Sequence, residues 1–190
     1  EELRFFLSDS GARLVVTGRE QQDVIQTLRS DLPELQAVLP DGEVLQPHEG
    51  GFVEPAISAD DLCLILYSSG TTGWPKGIVH THANVASSLH SLAHCWRMTA
   101  DDVVLNVLPL FHIHGLAFAT HLTLLSGAKL LLEDAFEPQR TLQLIGQSTV
   151  FMAVPSIYYR LLETPEFREA ARGWSGVRLF TCGSAPIRPE

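Results

Sequence analysis

The stretch YSSGTTGWPKG, residues 67–77, gathers Ser68, Ser69, Thr71 and Thr72 around Gly70 and Gly73 and sets Lys76 directly behind. Backbone N–H groups and short hydroxyls surround phosphate oxygens closely only where side chains are small and glycine permits unusual dihedrals. Lysine adds a mobile point charge: at ~4 Å and an effective dielectric near 20, one opposite-charge pair is worth about 4 kcal/mol. The Walker spacing is absent, because Gly77 stands where Ser or Thr would follow the lysine. On composition alone an ordinary surface turn fits too.

The elements that would position this loop follow from hydrophobic periodicity. The apolar run LCLILY (62–67) leads into it as a strand, and GIVHTH continues extended beyond it. Val85, Leu89, Leu92 and Trp96 then recur as one face of a helix. Downstream, DVVLNVLPL (102–110), AKLLLE (128–133), TVFMAVP (149–155) and VRLFTCG (177–183) read as strands. Between them GLAFATHLTLL, EPQRTLQLI and SIYYRLLE read as helices, with Pro138 suited to a first helical turn. Upstream, RLVVTG (13–18) reads as a strand, and QQDVIQTLRSDL as a helix whose face is Val24, Ile25 and Leu28. Residues 40–59, rich in proline and glycine, read as a surface connection. The class expected is α/β: a largely parallel sheet with helices on both faces.

A net charge of −9 over 190 residues argues against an extended nucleic-acid surface but not against one phosphate ligand held by a local lysine. No run of eighteen apolar residues occurs. The acidic start, lacking Met, reads as neither signal nor transit peptide. Cys63, Cys95 and Cys182 form no short pairing motif, which favours buried thiols in a reducing compartment, by default the cytoplasm. His80 with His82, His112 with His114, and His90 with His94 lack the partners of a metal site, so no metal ligand is assigned among them.

Three ordered stretches carry a resemblance. YSSGTTGWPKG is similar to the phosphate-binding signature of the adenylate-forming superfamily: acyl-CoA synthetases, aryl-CoA ligases, luciferases and peptide-synthetase adenylation domains. LPLFHIHGL (108–116) resembles that family's Pro-Leu-Phe-His-x-x-Gly element, and CGSAPI (182–187) its small-residue turn beside adenine and acyl group. The resemblance covers nearly the whole chain and implies the middle of a large domain, 1–190 being one partial domain without the small C-terminal domain.

It implies ATP-dependent activation of a carboxylic acid, then transfer to coenzyme A, normally with Mg²⁺. Ser68, Ser69, Gly70, Thr71, Thr72 and Gly73 would hold the β and γ phosphates, and Lys76 would neutralise departing pyrophosphate. His112 would line the acyl and pantetheine tunnel, and Gly183, Ser184, Ala185 and Pro186 would lie against adenine and acyl group. On composition alone His112 reads rather as a histidine packed under a loop, which the motif reverses, and 183–186 suits an ordinary turn after a strand. FMAVPSIYYRLLE resembles malonyl-CoA synthetases more than amino-acid adenylating domains, and Arg160 would bind a second carboxylate. The alternative for Arg160 is an exposed helix residue near Glu163. The family's Tyr-Gly-x-Thr-Glu element is not in the sequence, so the 190-residue chain alone is expected to be inactive. The rival class is a non-catalytic nucleotide-binding or interaction module.

Overall fold

The computed structural model describes residues 1–44, 50–51, 53–68 and 74–187. The chain divides into two compact units, one of residues 1–58 and 67–79, the other of 59–66 and 80–190.

The first unit opens with α1 (Glu2–Asp9), β1 (Leu14–Thr17) and α2 (Arg19–Thr27), followed by β2 (Ala37–Pro40) and the short α3 (Asp41–Val44). β1 and β2 pair in parallel, Val15 opposite Val38. Ile25, Leu32, Leu35 and Val38 form the core here, with Leu3, Leu7, Val15 and Leu28 packed against it. Of the expected helix face, Ile25 is buried at 2% exposure while Val24 stays 52% exposed. β2 and the helical turn at 41–44 escape periodicity because each is a single short segment beside proline. The rest of the expected connection falls partly outside the described residues.

β3 (Leu62–Ser68) and β4 (Lys76–Thr81) pair as a two-stranded sheet, and each runs from one unit into the other. α4 (His82–Cys95) starts on a reciprocal cap in which Asn84 N–H donates to Thr81 Oγ1 and Thr81 N–H to Asn84 Oδ1. That satisfies two of the backbone donors left over at a helix start.

The second unit is built on β5 (Val103–Asn106), β6 (Lys129–Leu132), β7 (Val150–Ala153) and β8 (Leu179–Cys182), all parallel in the order β6-β5-β7-β8. Side chains alternate across a strand, and the core divides accordingly. Val104, Val150 and Met152 face α4 and the helical run after β5, meeting Leu89, Ala117, Ala119 and Leu122. Leu105, Phe151 and Ala153 face the other way, onto Leu142 and Ile145 of α6 (Pro138–Ile145) and Ile157 and Leu161 of α7 (Pro155–Leu162). The run after β5 is π-helical over His114–His121 and becomes α5 (Leu122–Leu125). α8 (Phe167–Ala171) lies in the stretch that reads as merely polar in the sequence; it packs Phe167 edge-on to Trp174, ring centroids 5.6 Å apart.

The amino ends of these strands are tied by charge. Asp102, 3% exposed, accepts from Arg178 Nε at 2.8 Å, Thr149 Oγ1 at 2.6 Å and Thr99 N–H at 2.9 Å. Arg178 also reaches the carbonyls of Trp96 and Arg97. These donors hold the Asp102 carboxyl down at about 2, the Arg178 guanidinium first among them. The cysteines correct an expectation: Cys63, Cys95 and Cys182 are free and exposed. Cys95 ends α4, and Cys182 ends β8, the edge strand of its sheet.

Candidate functional site

Asn106 is the last residue of β5 and is completely buried. Its Nδ2 donates to the Gly115 carbonyl and to Thr120 Oγ1, both at 3.0 Å, and its Oδ1 accepts the Leu108 N–H at 2.9 Å. The strand therefore stops at 106 rather than running to 110, because Asn106 folds the next residues back onto itself. That lashing shapes the loop 107–113, which carries the histidine motif. Gly115 is required in this loop: a Cβ there would collide with the Pro109 carbonyl oxygen and come within 2.9 Å of that of Leu108.

The segments that leave the carboxyl ends of all four strands line one cavity of 760 Å³. Val107–Gly115 follow β5, Asp134–Phe136 follow β6, Val154, Ser156, Ile157 and Arg160 follow β7, and Ser184 follows β8. Open α/β sheets bind ligands at that end of the strands, and the volume suits a small organic molecule. The wall is largely apolar.

Of the sequence-derived candidates, His112 is exposed and lines the cavity beside the Phe111 ring, 4.6 Å away. Arg160 is also exposed and lines the cavity, its guanidinium 4.8 Å above the Phe136 ring. That stacking steers the charge along the wall and is worth roughly 0.5–1 kcal/mol at an exposed site. Ser184 takes a left-handed backbone (φ 68) and lines the cavity; beside it the Gly183 N–H donates to the Ala153 carbonyl at 3.3 Å, and Ala185 and Pro186 follow. His114, which spacing marks only as a neighbour of His112, turns inward: it is 7% exposed, and its Nδ1 lies 3.0 Å from Ser184 Oγ. Burial pushes its pKa down, so the ring is neutral near pH 7.

Two of the phosphate-loop candidates, Ser68 and Lys76, lie in the first unit. Ser68 closes β3 and is half-buried, and Lys76 opens β4 and is exposed. Ser69, Gly70, Thr71, Thr72 and Gly73 lie outside the described residues. The loop's flanks are held by aromatic packing from α1. Phe5 stacks on Trp74 with centroids 5.1 Å apart, Phe6 meets Tyr67 at 4.7 Å, and the Tyr67 hydroxyl donates to Asp9 at 2.8 Å. Burial, first, and the Asp9 contact raise the Tyr67 pKa, so it remains a donor.

Sequence reasoning missed Asn106, His114 as a wall residue, Phe136 and the α1 contacts. Only Asn106 leaves a signal, as the one polar residue inside VVLNVLPL.

The mitochondrial malonate–CoA ligase of Homo sapiens is 35% identical over 204 residues, covering 98% of this chain and 35% of the relative. A long-chain-fatty-acid–CoA ligase of Mycobacterium tuberculosis is 34% identical and covers 100% of this chain and 38% of its own length. Among solved structures, ATP-bound MatB from Rhodopseudomonas palustris superposes with a TM-score of 0.84 at 34% identity, over 97% of this chain and 38% of that one. The chain thus spans about a third of the length of the relatives it matches. The model of the family described as AMP-binding enzyme matches residues 1–190, and the chain belongs to that family.

Proposed function

We propose that the protein carrying this chain is an ATP-dependent acyl-CoA ligase, and that residues 1–190 are the middle of its large adenylate-forming domain. In the first step a carboxylate oxygen attacks the α-phosphorus of ATP, and pyrophosphate leaves with the electron pair of the broken P–O bond. In the second, the coenzyme A sulfur attacks the acyl carbon and AMP leaves. Carboxylate and triphosphate are both anions, so positive charge and N–H donors around the phosphates lower the first barrier.

Ser68 to Gly73 are assigned to the β and γ phosphates and Lys76 to the departing pyrophosphate. Mg²⁺ would enter with the nucleotide, since it is ordinarily held by one or two carboxylates plus substrate phosphates. The turn at 183–186 is assigned to adenine, and the cavity beyond it to the acyl group. His112 stands where an incoming pantetheine thiol would pass. Arg160 takes a second carboxylate, which makes a short dicarboxylic acid such as malonate the substrate favoured over a fatty or aryl acid.

The observation that carries this reading is the convergence of all four strand ends on one largely apolar cavity with a guanidinium in its wall. The favoured compartment is the cytoplasm, supported by three free cysteines, with the mitochondrion of the human relative's name as the rival. Among the described residues no helix is long and apolar enough to cross a membrane. The test is carboxylate-dependent exchange of labelled pyrophosphate into ATP by the full-length protein. Exchange with malonate that falls a hundredfold or more in Lys76→Ala, roughly the loss of one strong charge contact, supports it. Nucleotide binding without exchange for any carboxylate would instead favour a non-catalytic module.

A further inference from the structure

α1 presents two faces. Leu3 and Leu7, four positions apart and so on one side of the helix, pack against the core of Ile25, Leu32, Leu35 and Val38. Phe5 and Asp9 share a second side with the same spacing, and together with Phe6 they meet the two segments that enter and leave the glycine-rich stretch. On the entering strand β3 the Phe6 and Phe5 rings stand edge-on to Tyr67, centroids 4.7 and 6.3 Å away, and Asp9 Oδ2 accepts the Tyr67 hydroxyl at 2.8 Å. On the leaving side Phe5 stacks on Trp74, centroids 5.1 Å apart and planes 24° from parallel. One ring, Phe5, therefore touches both flanks. Trp74 is 58% exposed, so its indole contributes little to a core, and the face it covers is that of Phe5. Ser68 follows Tyr67 directly and Lys76 stands two residues after Trp74; all of these residues belong to the first unit.

We propose, on the ligase reading above, that α1 is a splint for the adenylation step: through Phe5, Phe6 and Asp9 it fixes Tyr67 and Trp74, and with them holds Ser68 and Lys76 at the separation the β and γ phosphates require. Phe5, Asp9, Tyr67 and Trp74 are positioning residues, acting through Ser68 and Lys76 rather than on substrate. Donors and charges fixed before the nucleotide arrives need no reorganisation when the P–O bond breaks. Leu3 and Leu7 supply the fixed base, since they seat the helix on a core that the loop does not share. The splint serves the first step alone. Once pyrophosphate has left, the β and γ phosphates are gone, and attack by the coenzyme A sulfur proceeds without these contacts.

The experiment uses the full-length protein and reads the two steps separately. Carboxylate-dependent exchange of labelled pyrophosphate into ATP reports the first, and coenzyme A thiolysis of the chemically prepared acyl-adenylate reports the second. Phe5→Ala should lower the first step by at least about tenfold, toward the roughly hundredfold that misplacing a reacting group by about 1 Å costs, and leave the second within about twofold. Phe5→Tyr keeps the ring and should restore exchange. Asp9 is exposed, so Asp9→Ala leaves the fold intact; it should lower exchange roughly three- to tenfold, the worth of one hydrogen bond. Asp9→Asn keeps an acceptor for the Tyr67 hydroxyl and should restore it. In a Lys76→Ala background Phe5→Ala should cost less than it does alone, because part of its effect passes through the missing ammonium. Titration calorimetry with ATP is run on the unaltered, Phe5→Ala and Phe5→Tyr forms.

Exchange unchanged in Phe5→Ala and Asp9→Ala, or both steps falling together, would overturn the splint and leave the ligase reading intact. Absence of exchange with every carboxylate in the unaltered protein would remove the ligase reading. The splint then stands if ATP binding weakens at least about tenfold in Phe5→Ala and recovers in Phe5→Tyr, and it falls if the three forms bind ATP equally.

Discussion

Asn106→Ala should destabilise the second unit far more than its small loss of side-chain volume suggests. Three hydrogen bonds end on the completely buried Asn106; those with Gly115 and Leu108 are buried and the one to Thr120 is partly so. The Gly115 carbonyl keeps a donor in Thr120 Oγ1 at 2.9 Å, and Thr120 can satisfy itself there. The Leu108 N–H has no such reserve, and an orphaned buried donor costs about 1–3 kcal/mol. Two further bonds at roughly 0.5–1 kcal/mol each bring the total to about 3 kcal/mol. With an m-value near 2 kcal/mol per molar urea, the midpoint should fall by about 1.5 M. Urea unfolding followed through Trp96 and Trp174, both in the second unit, measures it. Asn106→Asp keeps the acceptor for Leu108 but turns an acceptor toward the Gly115 carbonyl, so it should be no better than alanine. A shift below about 0.5 M for Asn106→Ala would refute the idea that Asn106 organises the loop.

Four more outcomes are expected. The Asp102 carboxyl sits at about 2 in the folded chain against an ordinary 3.8. Its stabilisation, about 2 kcal/mol, is therefore fully present above 3.8 and is lost as pH falls through about 2; urea midpoints between pH 5 and 2.5 should drop less steeply in Asp102→Asn than in the unaltered chain. Gly115→Ala must move the loop carbonyls of Leu108 and Pro109, costing about 2 kcal/mol by urea titration. Phe151→Ala, emptying a site of zero exposure between the helices on one sheet face, should cost about 3–5 kcal/mol in the same assay. The purified 190-residue chain, which spans about a third of the length of the relatives it matches, should show no carboxylate-dependent pyrophosphate exchange, and detectable exchange would overturn that expectation.

Much of the fold is legible in local pattern. Strands at 62–68, 129–132, 150–153 and 179–182 and helices at 82–95, 138–145 and 155–162 fall within or beside the segments that apolar runs and periodicity mark. The failures have physical causes. β5 ends early because a buried amide caps it, which hydropathy cannot register. The following helix begins as a π-helix against the loop at 108–109, a matter of close backbone approach at Gly115. α8 has five residues and no buried one, too little to leave a period.

For the site, the glycine-rich loop and the histidine motif stand out because their residue types are wasteful for ordinary turns. The inward turn of His114 onto Ser184, and the clamping of Tyr67 and Trp74 by Phe5 and Phe6, join residues distant in sequence. Spacing holds no trace of such pairings. Arg160 falls between: a guanidinium on a helix is visible in sequence, but its setting over Phe136 is a product of the fold.

The most direct measurement is a crystal structure of the full-length protein with a non-hydrolysable malonyl-sulfamoyl adenosine, a mimic of the acyl-adenylate. The account predicts adenine against residues 183–186, the acyl group in the 760 Å³ cavity, and its free carboxylate within hydrogen-bond reach of Arg160. An acyl group outside that cavity, or a free carboxylate directed away from Arg160, would contradict it.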